Sequence, residues 1–123
     1  MSYLKKRIQS FGYAFKGIGT FFKDEAHPKI HLLATVIITA LGFFLGLTAT
    51  EWCLIVICMA LVLCAEAMNS ALENLTDLVS PDPHPLAGKA KDIAAGAVLM
   101  TVILGGIVWS IIFLPKLLAL WTN

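Results

Sequence analysis

The sequence predicts an all-α membrane protein with three transmembrane helices and an N-terminal amphipathic surface helix. Hydrophobic residues make up 59% of the 123-residue chain, and its mean hydropathy is +0.84. The apolar residues are gathered into three long uncharged blocks. Blocks of this length and composition are typical of membrane-spanning helices and exclude an ordinary soluble domain. A single integral-membrane domain, residues 1–123, is therefore expected.

Residues 3–23 have the pattern of the surface helix. Apolar side chains recur there every three or four residues, with basic residues between them. Such a helix lies in the plane of the membrane surface and turns its basic side chains toward anionic headgroups. Lys6 and Tyr13 are candidates for contact with a nucleotide. The alternative is a membrane anchor with no part in chemistry.

Three spans are predicted, at residues 30–50, 52–79 and 85–114. Pro28 separates the surface helix from the first span, and the loop at 48–51 is so short that the second span must return antiparallel. The prolines between residues 81 and 85 make a stiff, extended connection, and Pro85 suits the first turn of the third span. Pro115 and Lys116 are expected to end that span.

The second span ends in a stripe of polar residues, and the functional prediction depends on this stripe. Its members are Glu66, Asn69, Ser70, Glu73 and Asp77. At helical spacing they fall within roughly a 100° arc of one face. Counted from Trp52 at the membrane boundary, Glu66 lies roughly 21 Å in, within the bilayer, and Glu73 roughly 31 Å in, at the far water boundary. One helix thus offers one carboxylate to a lipid and another to a water-soluble molecule.

A carboxylate inside a span costs about 2.5–3.5 kcal/mol on insertion scales, so it indicates a functional site. Three alternatives stay open. Glu66 is paired with a lysine for packing, or it belongs to the proton relay of a small transporter, or the chain is a structural subunit without an active site. Against the transporter, no inverted repeat is visible in three spans, and Glu73 and Asp77 would have no role.

The distribution of basic residues predicts the orientation. Lysine and arginine are concentrated near the N-terminus and in residues 80–92, and the loop at 48–51 has none. The positive-inside rule therefore puts the N-terminus and the proline-rich connection in the cytoplasm. The charged groups expected on that side are Glu25, Glu73, Asp77, Lys91 and Asp92.

These groups match the needs of phosphoryl transfer, which are a metal on the nucleotide phosphates, cationic groups and a base. Mg²⁺ prefers one or two protein carboxylates plus phosphate oxygens and water, and Glu25 and Glu73 are the candidates. Lys91 and the N-terminus of the third span could hold phosphate. Glu66 would be the base for a lipid hydroxyl, and Asn69 would orient a neighbouring group. The set predicts a lipid-alcohol kinase without a P-loop.

The segments EAMNSALENLTDLV and HPLAGKAKDIAAGAVL closely resemble the small bacterial membrane lipid kinases, the prokaryotic diacylglycerol kinase and undecaprenol kinase family. The resemblance runs from about Lys6 to Val108. It implies an ATP- and Mg²⁺-dependent kinase of the bacterial cytoplasmic membrane, a homotrimer with active sites between subunits. Its expected partners are ATP, a lipid alcohol and the bilayer, with no nucleic acid.

The same resemblance implies roles for single residues. Glu66 matches the proposed general base, and Glu25 and Glu73 match the groups that bind the metal with ATP. Tyr13, Lys91 and Asp92 match nucleotide contacts, and Lys6 and His84 are weaker matches. The expected catalytic residues are Glu66 and Asn69. The expected nucleotide-binding set is Lys6, Tyr13, Glu25, Glu73, Asp77, His84, Lys91 and Asp92.

Departures from the family pattern bear on the substrate. The stretch EAHPKIH is nearer the undecaprenol-kinase form, ExNxRIH, although His27 and Lys29 replace its Asn and Arg. Ala95 stands where the enterobacterial enzymes have a hydroxyl residue. Undecaprenol is therefore the expected substrate and diacylglycerol the alternative. His27 and His31 lie four residues apart, but no HExxH pattern accompanies them, so zinc is not expected.

Overall fold

The computed structural model describes residues 2–25 and 27–122 and folds them into four helices. They are α1 (Tyr3–Asp24), α2 (His27–Leu45), α3 (Ala49–Val79) and α4 (Pro85–Thr122). The last three are long and apolar enough to cross a membrane, which confirms the predicted all-helical membrane protein. Positions 1, 26 and 123 of the predicted domain lie outside the described residues, and position 26 belongs to the predicted break before the first span.

Helix α1 receives little stabilisation from its own chain. The Ser2 hydroxyl accepts a hydrogen bond from the Lys5 backbone N–H at its start, but none of its residues is buried. Phe11 and Phe15 are 66% and 71% exposed. A short helix is marginal without tertiary contacts, so its apolar stripe must be covered by lipid or by another protein surface.

Helix α2 is shifted toward the N-terminus relative to the predicted span at 30–50. It begins at His27, with Pro28 in the first turn, where a missing N–H costs nothing. It ends at Leu45 because Gly46 adopts a left-handed conformation, with φ of 65°. The Gly46 and Leu47 N–H groups then donate to the carbonyls of Phe43 and Gly42. This pair of backbone hydrogen bonds terminates the helix several residues before the predicted end.

Helix α3 starts earlier than predicted because Thr48 caps it. The Thr48 hydroxyl accepts from the Glu51 N–H, and the Glu51 carboxylate accepts from the Thr48 N–H. This reciprocal arrangement is a capping box, so residues 49–51 form the first helical turn and not a loop. The predicted end at Val79 agrees with the structure, and one unbroken helix carries the polar stripe.

Helix α4 continues through Pro115 to Thr122, whereas the sequence led us to expect its end at Leu114. Proline removes one backbone hydrogen bond, but contacts beyond it hold the last turns in place. Lys116 Nζ lies 3.2 Å from the Glu51 carboxylate at the start of α3. Leu117 packs against the buried core. These tertiary contacts outweigh the local preference to stop.

The hydrophobic core lies near the loop that joins α2 to α3. It contains Ile38, Leu47, Ile55, Ile112 and Phe113, and Ile55 is fully buried. Trp52 packs against this core, and its ring contacts that of Phe43 in a tilted arrangement, with centroids 4.9 Å apart. The opposite end of the bundle, where the polar stripe lies, contributes no residue to this cluster. One end is therefore tightly packed and the other is open.

The contact between Gly42 and Trp52 generates a stability prediction. A Cβ at Gly42 would lie 2.7 Å from Cη2 and 3.0 Å from Cζ2 of the Trp52 ring, which the core prevents from moving freely. Gly42→Ala should therefore lower the free energy of unfolding by about 1–3 kcal/mol. Thermal unfolding in detergent micelles, followed by circular dichroism, measures this. In the control, Gly106→Ala, the new Cβ meets no atom within 4 Å. Equal unfolding midpoints for the two variants would contradict the prediction.

Candidate functional site

Glu66 is the buried acid of the bundle. It is 4% exposed, although it lies in a helix whose apolar side chains mostly face outward. His31, on α2, donates from Nε2 to Glu66 Oε1 over 2.8 Å, in the tautomer that carries its proton on Nε2. Among the described residues, this is the one side-chain hydrogen bond between α2 and α3. The predicted alternative of a Glu66–lysine pair is therefore not what the structure contains.

Asn69 and Glu73 follow Glu66 on the same face of α3. Asn69 Nδ2 donates to Glu73 Oε1 over 3.1 Å, so the amide orients the carboxylate one turn further along. Asn69 Oδ1 is buried and has no hydrogen-bond partner among the described residues. A buried acceptor without a partner is costly, so this oxygen is suited to a ligand that brings a donor or a cation.

A cavity of about 290 Å³ gathers the predicted catalytic and metal-binding residues. We call it the carboxylate cavity. Its polar lining is Glu25, His27, Glu66, Asn69, Ser70 and Glu73, and its apolar lining comes from α4. Four of the five members of the predicted stripe thus share one cavity. Helical spacing explains this, since residues three and four apart lie side by side.

Glu25 reaches this cavity from the end of α1. It is the C-cap residue of α1 and adopts an extended conformation. Lys29 Nζ donates to the Lys23 carbonyl over 3.2 Å, satisfying one of the free carbonyls at the end of α1. This bond ties the start of α2 to the end of α1. Lys29, which stands in place of the Arg of the form ExNxRIH, therefore has a structural role in this chain.

A second cavity, of about 560 Å³, lies between α1 and α3; we call it the surface cavity. Tyr13, Lys16, Asp24 and Asn74 contribute to its polar lining. It shares Glu25 and Ser70 with the carboxylate cavity. The two cavities therefore adjoin, and Glu25 stands between them.

A third cavity, of about 250 Å³, lies deeper in the bundle and is almost entirely apolar. This apolar cavity is lined by His31, Ala34, Thr35, Ile38, Cys58, Met59, Val62, Leu63, Val102, Gly105, Gly106 and Trp109. Val102 also lines the carboxylate cavity. The His31–Glu66 pair joins the two, because His31 lines one and Glu66 the other. On α3 the apolar cavity is lined by residues 58–63, and the other two cavities lie side by side further along the helix, at residues 66–74.

Other predicted nucleotide-binding residues lie apart from these cavities within the chain. Asp77 and Lys91 form an ion pair with each other between α3 and α4. His84 Nδ1 accepts a hydrogen bond from the Leu86 N–H and so caps the start of α4. Asp92 is exposed, and none of the three cavities includes it.

Lys6 is exposed on α1, one turn beyond Ser2, and none of the three cavities reaches it. Tyr13 is thus the predicted nucleotide contact on α1 that lines a cavity. Its hydroxyl accepts a hydrogen bond from Gln9 Nε2 over 3.1 Å.

The residues present fit a magnesium ion held together with a nucleotide. Within residues 2–25 and 27–122, no group of three or more His, Cys, Asp or Glu side chains forms a complete metal cage. Mg²⁺ does not require one, since it takes one or two carboxylates and completes its shell with phosphate oxygens and water. Glu25, Asn69 and Glu73 line the same cavity, and Asn69 Oδ1 has no hydrogen-bond partner among the described residues. Oxygen ligands of this kind suit a hard cation.

Sequence reasoning missed several lining residues. Lys16, Asp24 and Asn74 were not among the candidates, although Lys16 lies one helical turn from Tyr13. His31 was weighed only as a zinc ligand, yet the structure places it against Glu66. Its spacing of 35 residues from Glu66 carries no local signal. The matching histidine in the form ExNxRIH was the available indication.

The fold and these cavities are those expected of a membrane-embedded enzyme that acts on a lipid. The model of the family described as "Prokaryotic diacylglycerol kinase" matches residues 12–113. The chain is 35% identical to an undecaprenol kinase of Bacillus subtilis over 93% of both chains. It is 34% identical to a diacylglycerol kinase of Haemophilus influenzae, over 83% of this chain and 86% of the relative. A diacylglycerol kinase of Escherichia coli is 30% identical, over 85% and 86%.

The chain therefore belongs to the prokaryotic diacylglycerol kinase family, a family of membrane lipid kinases. The family prediction made from the sequence is confirmed.

Proposed function

We propose that this protein transfers the γ-phosphoryl group of ATP to the hydroxyl of a membrane lipid alcohol, and that this alcohol is undecaprenol. The observation that carries the proposal is the buried Glu66 carboxylate, placed between an apolar cavity and a cavity of carboxylates. A lipid can approach from the apolar side. A nucleotide can approach from the surface cavity, which adjoins through Glu25 and Ser70.

Glu66 is the proposed general base. It would accept the proton of the lipid hydroxyl as that oxygen bonds to the γ-phosphorus and the bond from phosphorus to the ADP oxygen breaks. His31 occupies Oε1. No hydrogen bond to Oε2 is formed within the part of the chain that the structure describes, which leaves this oxygen for the hydroxyl.

The surface cavity is the proposed nucleotide site. Its volume of about 560 Å³ lies within the usual range for small-molecule sites, roughly 300–1,000 Å³. Tyr13 offers a ring and a hydroxyl, and Lys16 offers a cation for phosphate. Glu25 and Glu73 are the proposed ligands of Mg²⁺, which supplies neutralisation of the phosphate charge when bound with ATP.

The homotrimer is proposed for two reasons. Lys91 and Asp92 match nucleotide contacts in the family, but they lie outside the cavities of their own chain. The apolar face of α1 is also uncovered in a single chain. A neighbouring subunit would cover exposed apolar surface and could bring charged groups to the site. The basic N-terminal segment supports a cytoplasmic N-terminus, on the side where ATP is found.

Undecaprenol is favoured over diacylglycerol by the apolar α4 wall of the carboxylate cavity and by the almost entirely apolar cavity that His31 lines. Diacylglycerol carries two ester groups beside its hydroxyl, and burying them without hydrogen bonds is costly. The Thr35 hydroxyl already donates to the His31 carbonyl, the Asn69 amide donates to Glu73, and Ala95 supplies no hydroxyl. A polyprenol has no polar group apart from its hydroxyl and needs no such partners.

Glu66→Gln should abolish turnover while nucleotide binding survives. The amide keeps the size and an acceptor oxygen but cannot take the proton, so kcat should fall by about 10²- to 10⁴-fold. Transfer of labelled phosphate to lipid in mixed micelles measures turnover, and titration of a fluorescent ATP analogue measures binding. The control is Glu51→Gln, at the far end of the same helix, where glutamine also supports a capping box. Retained turnover in Glu66→Gln would rule out the proposed base.

Glu73→Gln should act on the metal and not on the proton transfer. Loss of one anionic oxygen ligand should weaken Mg²⁺ binding by about 1.4 kcal/mol or more, which corresponds to a factor of about ten in affinity. The Mg²⁺ concentration for half-maximal activity should rise by the same factor. Activity titrated against Mg²⁺ at saturating ATP measures this. Asp82→Asn, an exposed acid in the connection before α4, is the control. An unchanged Mg²⁺ requirement would exclude Glu73 as a ligand.

The substrate is decided by a direct comparison. Purified protein is incubated with Mg·ATP and either undecaprenol or diacylglycerol in identical micelles, and kcat/KM is measured for each. The value for undecaprenol should be the larger. A larger value for diacylglycerol would reverse the substrate assignment, and labelled phosphate in neither lipid would refute the kinase proposal. Proton-driven flux in liposomes without ATP would favour the transporter alternative.

A further inference from the structure

We propose that His31 is a positioning residue for the phosphoryl transfer, and that its Nε2–H holds the Glu66 carboxylate in the orientation needed to receive the hydroxyl proton. This inference rests on the proposed function, because it assigns a second residue to the proposed base. The geometry behind it is one hydrogen bond of 2.8 Å between His31 Nε2 and Glu66 Oε1, across two helices.

Within the described residues, the Glu66 side chain forms no hydrogen bond with another side chain of its own helix, so His31 alone orients it. A glutamate side chain has three rotatable bonds and loses up to about 2 kcal/mol of conformational entropy when it is fixed. The α4 wall of its cavity is apolar, and among the described residues His31 gives Glu66 its one side-chain hydrogen bond. The hydrogen bond from His31 selects one rotamer and fixes which oxygen is occupied and which faces the carboxylate cavity.

His31 can provide this orientation because it is held by its own surroundings. The histidine side chain is 23% exposed, and His31 lines the apolar cavity together with Val62 and Leu63. The Thr35 hydroxyl donates to the His31 backbone carbonyl over 2.8 Å. Buried Pro28 fixes the preceding turn of α2. These contacts fix the backbone of α2 on both sides of His31, from which the side chain reaches Glu66 on α3.

The His31–Glu66 pair also lies between the cavity from which the lipid would approach and the cavity of carboxylates. His31 lines the apolar cavity, and Glu66 lines the carboxylate cavity. A lipid hydroxyl that reaches Glu66 Oε2 would therefore meet a carboxylate whose other oxygen is already held. Displacement of a reacting group by about 1 Å can cost 10²-fold in rate, so loss of the bond should affect the rate of the chemical step more than the affinity for ATP.

Three substitutions at one position test this role. In His31→Gln, the amide nitrogen lies near the place of Nε2 and can still donate to Glu66. In His31→Asn the amide is too short to reach, and in His31→Phe the ring shape remains but the donor is lost. His31→Asn and His31→Phe should lower kcat by about 10- to 100-fold, with KM for Mg·ATP unchanged. His31→Gln should restore kcat to near the wild-type value.

Several kinetic results would overturn the inference. If His31→Gln is as impaired as His31→Phe, the imidazole is needed for more than donation to Glu66. If His31→Phe turns over like the wild type, no positioning is required. A change confined to KM for ATP would place the effect in nucleotide binding.

A stability cycle separates this inference from the proposed function. His31→Phe should lower the thermal unfolding midpoint of the otherwise wild-type protein, and should lower it much less in a Glu66→Leu background, where the acceptor is gone. Equal shifts in both backgrounds would refute the bond. This measurement needs no turnover. Failure of the wild type to phosphorylate any lipid alcohol would instead refute the proposed function, and the positioning role with it.

Discussion

The structure depends on one constraint, which is the presence of a carboxylate in a helix built to cross a membrane. Lipid offers no hydrogen bonds, so a buried acid must find a partner inside the protein. Glu66 finds His31 on the neighbouring helix. This bond requires α2 and α3 to lie close together at His31 and Glu66. The bundle is largely apolar on one side of the bond and more polar on the other. The apolar cavity lies on the His31 side of this bond and the carboxylate cavity on the Glu66 side.

The two ends of the bundle are built differently. At the end near the α2–α3 loop, Trp52 packs closely on Gly42, and the Glu51–Lys116 ion pair joins the ends of α3 and α4. At the other end, large cavities replace packed side chains, and a buried oxygen of Asn69 has no hydrogen-bond partner among the residues that the structure describes. Close packing supplies stability, whereas a site needs open space and unsatisfied groups. Close packing is therefore located at one end of the helices and the candidate site at the other.

Much of the apolar surface of a single chain is not covered by its own residues. The most apolar windows of α2, α3 and α4 are only 17%, 17% and 11% buried, and no residue of α1 is buried. Lipid accounts for part of this surface, because apolar side chains facing acyl chains need no protein partner. The separation of Lys91 and Asp92 from the cavities supports a site completed by a second copy of the chain, as the proposed trimer requires.

The sequence by itself determined the membrane-spanning helices and the common face of Glu66, Asn69, Ser70 and Glu73, since apolar run length and the 3.6-residue period act within one segment. Only the tertiary structure decided which residue meets Glu66, that α4 passes Pro115, and that Lys91 pairs with Asp77. These outcomes depend on contacts between helices, and such contacts leave no periodic trace in a single sequence. Several helix ends differ from the predicted ones. Helix capping at Gly46 and Thr48 and the contact of Lys116 with Glu51 determine where these helices begin or end.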